Sequence, residues 1–252
     1  MHRYLTGTAV ALALMSTGLS AARAESADQQ IEKKEQPFAL KLGATRVIYR
    51  PGSAGASLNA INPQDYPMLV KSQVFDEDKK TLAPFIVTPP LFRLDGQQSS
   101  RLRIIGSRDG SLPADRETLK WLCVTGVPPK GDDAWAKGGQ KPTHATLNIQ
   151  VSVSSCIKLL VRPEAVRGGP ESVADGLSWR RQGATLKVTN PTPFYLNLKS
   201  LTVGGKKVEA MDYVPPFGTR DFALPSGASG QVAWRILTDL GGDSRLYKAD
   251  LQ

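Results

Sequence analysis

The stretch His144–Pro163, HATLNIQVSVSSCIKLLVRP, restricts the possible folds of this chain more than any other part of it. Leu147, Ile149, Val151 and Val153 are apolar, and Asn148, Gln150, Ser152 and Ser154 between them are polar. A two-residue period builds an extended strand with one dry and one wet face, whereas an amphipathic helix needs a period near 3.6. The run continues through Cys156, Ile157, Lys158, Leu159 and Leu160 and stops at Arg162-Pro163, since proline cannot donate to a sheet ladder.

The rest of the chain repeats this grammar in shorter words. Ser57–Ile61, Met68–Phe75, Phe85–Val87, Leu91–Leu94, Ser99–Ile105 and Leu119–Val127 read as strands. Arg50-Pro-Gly, Asn62-Pro63, Thr88-Pro89-Pro90 and Asp95-Gly96 punctuate them. Strands spaced by about 8–12 residues, with almost no helical period, predict an all-β sandwich. Phe38, Leu40 and Leu42 are even-numbered, but Val47 and Tyr49 are odd-numbered. This change of parity across Gly43–Thr45 predicts a bulge or a strand that crosses between two sheets.

Arg162-Pro163 and the Gly/Pro-rich residues up to Pro170 read as a linker. Beyond it, Leu177–Arg181, Ala184–Thr189, Phe194–Val203, Lys206–Val208, Tyr213–Val214, Asp221–Leu224 and Ser229–Leu237 predict a second, smaller sandwich. The expected organisation is a leader over residues 1–24, a first domain over 25–163 and a second over 164–252.

The leader rests on Arg3, an apolar run from Leu5 to Ala22, and Ala22-Arg23-Ala24, the small-x-small pattern of a signal-peptidase site. The polar residues Glu25–Gln36 beyond it favour cleavage over a membrane helix and read as a mobile terminus. No later run approaches the roughly 18–20 apolar residues that span a bilayer, so an exported protein without membrane insertion is expected. The formal charge of +9 falls by two when Arg3 and Arg23 leave with the leader. The remaining lysines and arginines are scattered, which fits a solvated basic surface rather than a nucleic-acid face.

Cys123 and Cys156 are the only cysteines. In an exported chain they predict one disulfide, with two free thiols as the alternative. The bond would close a loop of roughly 33 residues, worth about 3–4 kcal/mol as chain entropy. With His144 the one histidine left after processing, no metal set and no Ser–His–acid arrangement is visible. No cofactor and no enzymatic activity are expected, so an exported hydrolase is a poor reading. The loop from Val127 to His144 far exceeds the usual hairpin loop of about two to five residues. It reads either as a functional loop or as a tolerated insertion.

Several short patterns together resemble the periplasmic chaperones of the chaperone–usher pathway. They are Thr45-Arg-Val-Ile-Tyr-Arg50, Thr88-Pro-Pro-Leu-Phe-Arg-Leu94, Asp115-Arg-Glu-Thr-Leu119 and Val127-Pro-Pro129. After them come Ile157-Lys-Leu-Leu-Val-Arg-Pro163, Asn190-Pro-Thr-Pro-Phe-Tyr195 and Val214-Pro-Pro-Phe-Gly218, in family order.

The resemblance implies two immunoglobulin-like β-sandwich domains arranged as a boomerang with a cleft between them. It implies that Arg46 and Lys158 anchor the C-terminal carboxylate of a fibre subunit, and that Leu147, Ile149, Val151 and Val153 are lent to the subunit as a donor strand. Phe38, Leu40 and Leu42 would add an N-terminal subunit-contact strand, and Glu117, Arg162 and Asp239 an interdomain charge cluster. The long loop and the flanking cysteines resemble the branch whose disulfide pins the base of that hairpin.

The implied partners are a fibre subunit and an outer-membrane usher, with self-association open to the free form. Because Lys158 is even-numbered and the apolar row is odd, a bulge near Ser154–Cys156 is expected to turn the lysine into the cleft. The rival from the same system is a fibre subunit or adhesin, which two complete sandwiches and a linker argue against.

Overall fold

The computed structural model describes residues 38–107, 112–130, 133, 151–209 and 212–252. The leader, the charged segment 25–36, most of the loop before His144, and donor-row residues Leu147 and Ile149 lie outside them.

The first half of the described chain holds β1 (Lys41–Leu42), β2 (Arg46–Tyr49), β3 (Ala56–Ile61), β4 (Met68–Phe75) and β5 (Phe85–Thr88). It continues with β6 (Leu91–Leu94), β7 (Ser99–Gly106), β8 (Thr118–Val127) and β9 (Val153–Val161). These strands form two sheets, in the orders β1-β3-β7-β5 and β2-β9-β8-β4-β6. Leu58, Val70, Leu102, Ile104, Leu122 and Leu159 fill the space between them.

The parity change read at residues 43–45 is a crossing between sheets. Lys41 and Leu42 pair with Ile61 and Ala60, while Arg46 to Tyr49 run parallel to Lys158 to Val161 in the other sheet. A chain that changes sheet must exchange its inward row, which is why the apolar set moves from even to odd positions.

The second half holds β10 (Ser178–Gln182), β11 (Thr185–Thr189), β12 (Leu196–Val203), β13 (Lys206–Lys207) and β14 (Tyr213–Val214). β15 (Thr219–Ala223), β16 (Gln231–Ile236) and β17 (Tyr247–Asp250) complete it. One sheet has the order β10-β11-β15; the other runs β13-β12-β16-β17, with β14 also on β12. Trp179 and Trp234 pack 5.2 Å apart between the sheets, with Tyr247 stacked on Trp234.

The segment read as a linker is partly committed to this second core. Val166 is buried in it, as is Ala174 just beyond the segment, whose carbonyl accepts from Trp234 Nε1 at 3.2 Å. Strand β17 was not among the runs read from the sequence, although Tyr247, Ala249 and Leu251 do alternate. Among the described residues no helix is long and apolar enough to cross a membrane.

A small apolar contact joins the sandwiches. Leu119 and Leu160 of the first pack on Tyr195 of the second, flanked by Ile48, Trp121 and Tyr213.

Candidate functional site

Strands β8 and β9 pair in unbroken register from Thr118↔Val161 to Gly126↔Val153. The expected bulge near Ser154–Cys156 is therefore absent, and Lys158 reaches the interdomain side by plain alternation. The odd residues Ile157, Leu159 and Val161 face the first core, so the even row faces out. On that outer face four cross-strand pairs follow one another. Thr125 donates to Ser154 between hydroxyls at 3.0 Å, Cys123 is bonded to Cys156, Trp121 lies opposite Lys158, and Leu119 lies opposite Leu160. The two cysteines are direct neighbours, with Cα atoms 4.0 Å apart.

Arg46 is the register partner of Lys158 across the β2–β9 ladder, and both face the second sandwich. Arg46 is buried and its Nε has no hydrogen-bond partner. Lys158 Nζ donates to Asn197 Oδ1 on β12 and stands 4.5 Å from the Tyr213 ring centre. Among the described residues neither cation has a carboxylate within ion-pairing distance. Burial pushes the Lys158 ammonium down to about 8, and neighbouring Arg46 adds to the effect. The Arg46 guanidinium is also held below its ordinary value by burial, although Asp239 and Glu117 pull it back. A buried guanidinium and a half-buried ammonium without an acid between them carry an unmet desolvation cost that an anion with several acceptor lone pairs would relieve.

Beside this pair the sheet is open. β2 covers β9 only from Lys158 onward, so among the described residues 153–157 are paired on the β8 side alone. The odd row emerges from its core along this edge: Val161 and Leu159 are fully buried, Ile157 and Val153 half-buried, and Val151 is 61% exposed. At the other sheet's edge, Leu40 belongs to the first core, with Phe38 and Leu42 half-buried against it. Leu40 is thus committed to its own sandwich in this structure.

Next to the cations lies a buried charge network. Arg162 donates from Nε to Glu117 Oε1 at 2.7 Å, and from Nη1 and Nη2 to the two oxygens of Asp239, also at 2.7 Å each. Its fourth bond goes to the Gly168 carbonyl at 3.1 Å. Glu117 Oε2 accepts from the Tyr195 backbone N–H at 2.8 Å, so this one carboxylate holds both the junction and the second sandwich. Burial raises the Glu117 carboxyl above the usual range against the pull of Arg162. For Arg162, burial is outweighed by its bonds to Asp239 and Glu117, and its guanidinium is raised. Gly241, two residues beyond Asp239, has φ of +82° and lies so close to Thr45 that an added Cβ would come within 2.5 Å of the threonine hydroxyl. Only glycine fits there, on both backbone and space.

The structure thus gathers Arg46, Lys158, Glu117, Arg162 and Asp239 around one junction, with the disulfide on the same face and the free edge beside it. Sequence reasoning missed Asn197, Trp121, Tyr195 and Tyr213, which wall the same junction. Among the described residues, no cluster of three or more histidine, cysteine or acidic side chains could hold a metal.

Two family models match the chain in tandem. Residues 39–167 match "Pili and flagellar-assembly chaperone, PapD N-terminal domain", and residues 172–248 match "Pili assembly chaperone PapD, C-terminal domain". The chaperone protein AfaB of Escherichia coli is 54% identical over 228 residues, covering 88% of this chain and 92% of the relative. The chaperone protein PsaB of Yersinia pestis is 48% identical over 246 residues, covering 91% and 90%.

Among solved structures, the E. coli chaperone DraB superposes with a TM-score of 0.79 at 53% identity, covering 88% of this chain and all of DraB. A chain of the Salmonella enterica complex of the SafA pilin with the SafB chaperone does so at 0.79 and 47%, covering 87% and 99%. With both halves matched in order and close relatives along almost the whole length, the chain belongs to the PapD-like family of periplasmic pilus-assembly chaperones, which are not enzymes.

Proposed function

We propose that the protein, exported through its N-terminal leader, captures fibre subunits by lending them the free edge of β9 and anchoring their C-terminal carboxylate on Arg46 and Lys158. The observation that carries this reading is the adjacent pair of cations, one buried and one half-buried and neither ion-paired among the described residues, at the point where β2 leaves the edge. A guest strand running parallel to β9 would end there, head to tail with β2. Its main chain would pair with residues 151–157 while the emerging row, Leu147, Ile149, Val151 and Val153, enters the guest's groove. An incomplete sandwich exposes an apolar groove and an unpaired edge, and covering both keeps it from aggregating.

The half ending at Pro163 is the subunit-binding half. Phe38 and Leu42, at the facing sheet edge, extend the grip, and the Glu117–Arg162–Asp239 network sets how the second sandwich closes the cleft. Delivery to an outer-membrane usher follows from the pathway. The same free edge lets unloaded molecules associate with one another.

The test is co-expression in a periplasm with the subunit encoded beside this chain. Arg46→Ala and Lys158→Ala are each expected to cut recovered complex by about tenfold or more, the scale of losing one member of a buried charged contact. Undiminished complex with both variants would refute the anchor.

A further inference from the structure

Resting on that anchor reading, we infer that Asn197 of the second sandwich is a positioning residue for Lys158, completing the carboxylate site only when the two sandwiches are seated on one another. Arg46 and Lys158 both belong to the first sandwich, yet among the described residues the one hydrogen bond that Lys158 Nζ makes is to Asn197 Oδ1 on β12. A lysine has three donors on a flexible stem. Fixing one on Asn197 and one side against the Tyr213 ring holds the ammonium in place and leaves its remaining donors for a guest beside its register partner Arg46.

The amide has no freedom to turn away. Asn197 is 4% exposed, and its Nδ2 donates to the Tyr195 carbonyl at 3.3 Å, so that Oδ1 must face the ammonium.

The same residue sits at the end of a continuous hydrogen-bonded path. Asp239 holds Arg162, Arg162 holds Glu117, Glu117 accepts from the Tyr195 N–H, and the Tyr195 carbonyl holds Asn197. The Asn197 carbonyl also accepts from the Leu237 N–H at 2.8 Å, two residues before Asp239. Two of these links, Asp239 to Arg162 and Glu117 to Tyr195, cross between the sandwiches, so the path to Lys158 closes only when the second sandwich is docked. The charge network acts on subunit capture through the aim of one ammonium as well as through the angle between domains.

The probe is a synthetic peptide copying the C-terminal strand of the neighbouring subunit, prepared with a free carboxylate and as the C-terminal amide. Wild type is expected to prefer the carboxylate form. Asn197→Leu is expected to weaken binding of that form by about tenfold, the scale of a hydrogen bond to a charged group, and to leave the amide form unchanged. Asp239→Asn is expected to lower the same selectivity, and the double variant to be no worse than the weaker single. Equal losses for both peptide forms, or additive losses in the double variant, overturn the inference.

A client-free readout guards against a misfolded variant: the Lys158 ζ-ammonium, followed by lysine side-chain NMR, is expected to titrate at lower pH in Asn197→Leu. An unchanged titration in a folded variant also overturns it. If wild type itself fails to distinguish the carboxylate from the amide, it is the anchor reading that fails.

Discussion

At the scale of single residues, the chemistry turns on how dry two cations are kept. Lys158 loses its proton near pH 8 because burial, then Arg46, disfavours the charge; Lys79 and Arg220 push the same way, and Asp212 opposes them. Two consequences of opposite sign follow. Capture of a carboxylate needs the ammonium, so affinity for a subunit peptide is expected to fall as pH rises through about 8. Stability moves the other way. Between about 8 and the ordinary value of 10.5 the unfolded chain holds a proton that the folded chain has released, so this group's contribution rises with pH across that window. Peptide titrations and denaturant unfolding over the same pH series check both signs.

Little of this was legible in the residues themselves. Read alone, Arg46 and Lys158 are cations at strand ends, which ordinarily snorkel to water, and only the family resemblance assigned them a role. Lys158 is covered by Asn197 on β12 and by Tyr213, far away in sequence, and a local pattern carries no record of what a distant strand will cover. Asn197 left a fainter trace as the lone polar residue in the run from Phe194 to Leu198.

At the scale of elements, alternation was a reliable guide. Most strand limits agree with it within one or two residues, and of the two readings of the parity change at 43–45, a bulge or a crossing between sheets, the crossing is the one formed. It misled at Lys158, because a two-residue period says which side chains share a face but not what lies against that face. The even row of β9 is wet at Ser154 and Cys156 and becomes covered at Leu160, where the second sandwich arrives. No change of register is needed.

The disulfide ties β8 to β9 one pair away from Trp121 and Lys158. Replacing both Cys123 and Cys156 by alanine is expected to cost the first sandwich about 3–4 kcal/mol. Denaturant unfolding followed by Trp121 fluorescence measures it. The subunit peptide should also bind more weakly as the free edge frays.

At the scale of the whole molecule, a few contacts set the two sandwiches. Glu117 and Arg162 are each 1% exposed; without Glu117 the guanidinium keeps Asp239, but without Arg162 the Glu117 carboxylate stands in the interior with no cation. Arg162→Ala is expected to destabilise the chain by about 3–5 kcal/mol. Gly241→Ala, which meets Thr45 and a left-handed backbone, is expected instead to spread the sandwiches while each keeps its core. Small-angle scattering would register the second as a larger radius of gyration, with the near-ultraviolet signal of Trp179 and Trp234 retained.

The docked second sandwich also makes the free edge a blind alley, open at Val151 and shut beyond Lys158 by β2, Leu160 and Tyr195. A guest laid in such a slot is measured from its last residue backward, so its terminus works as the zero mark of a ruler. Lengthening the guest by one residue turns every side chain to the opposite face, whereas two residues restore the facing. A subunit extended by two residues at its C-terminus should therefore be retained better than one extended by a single residue, an ordering that a binding rule based on hydrophobicity alone would not produce.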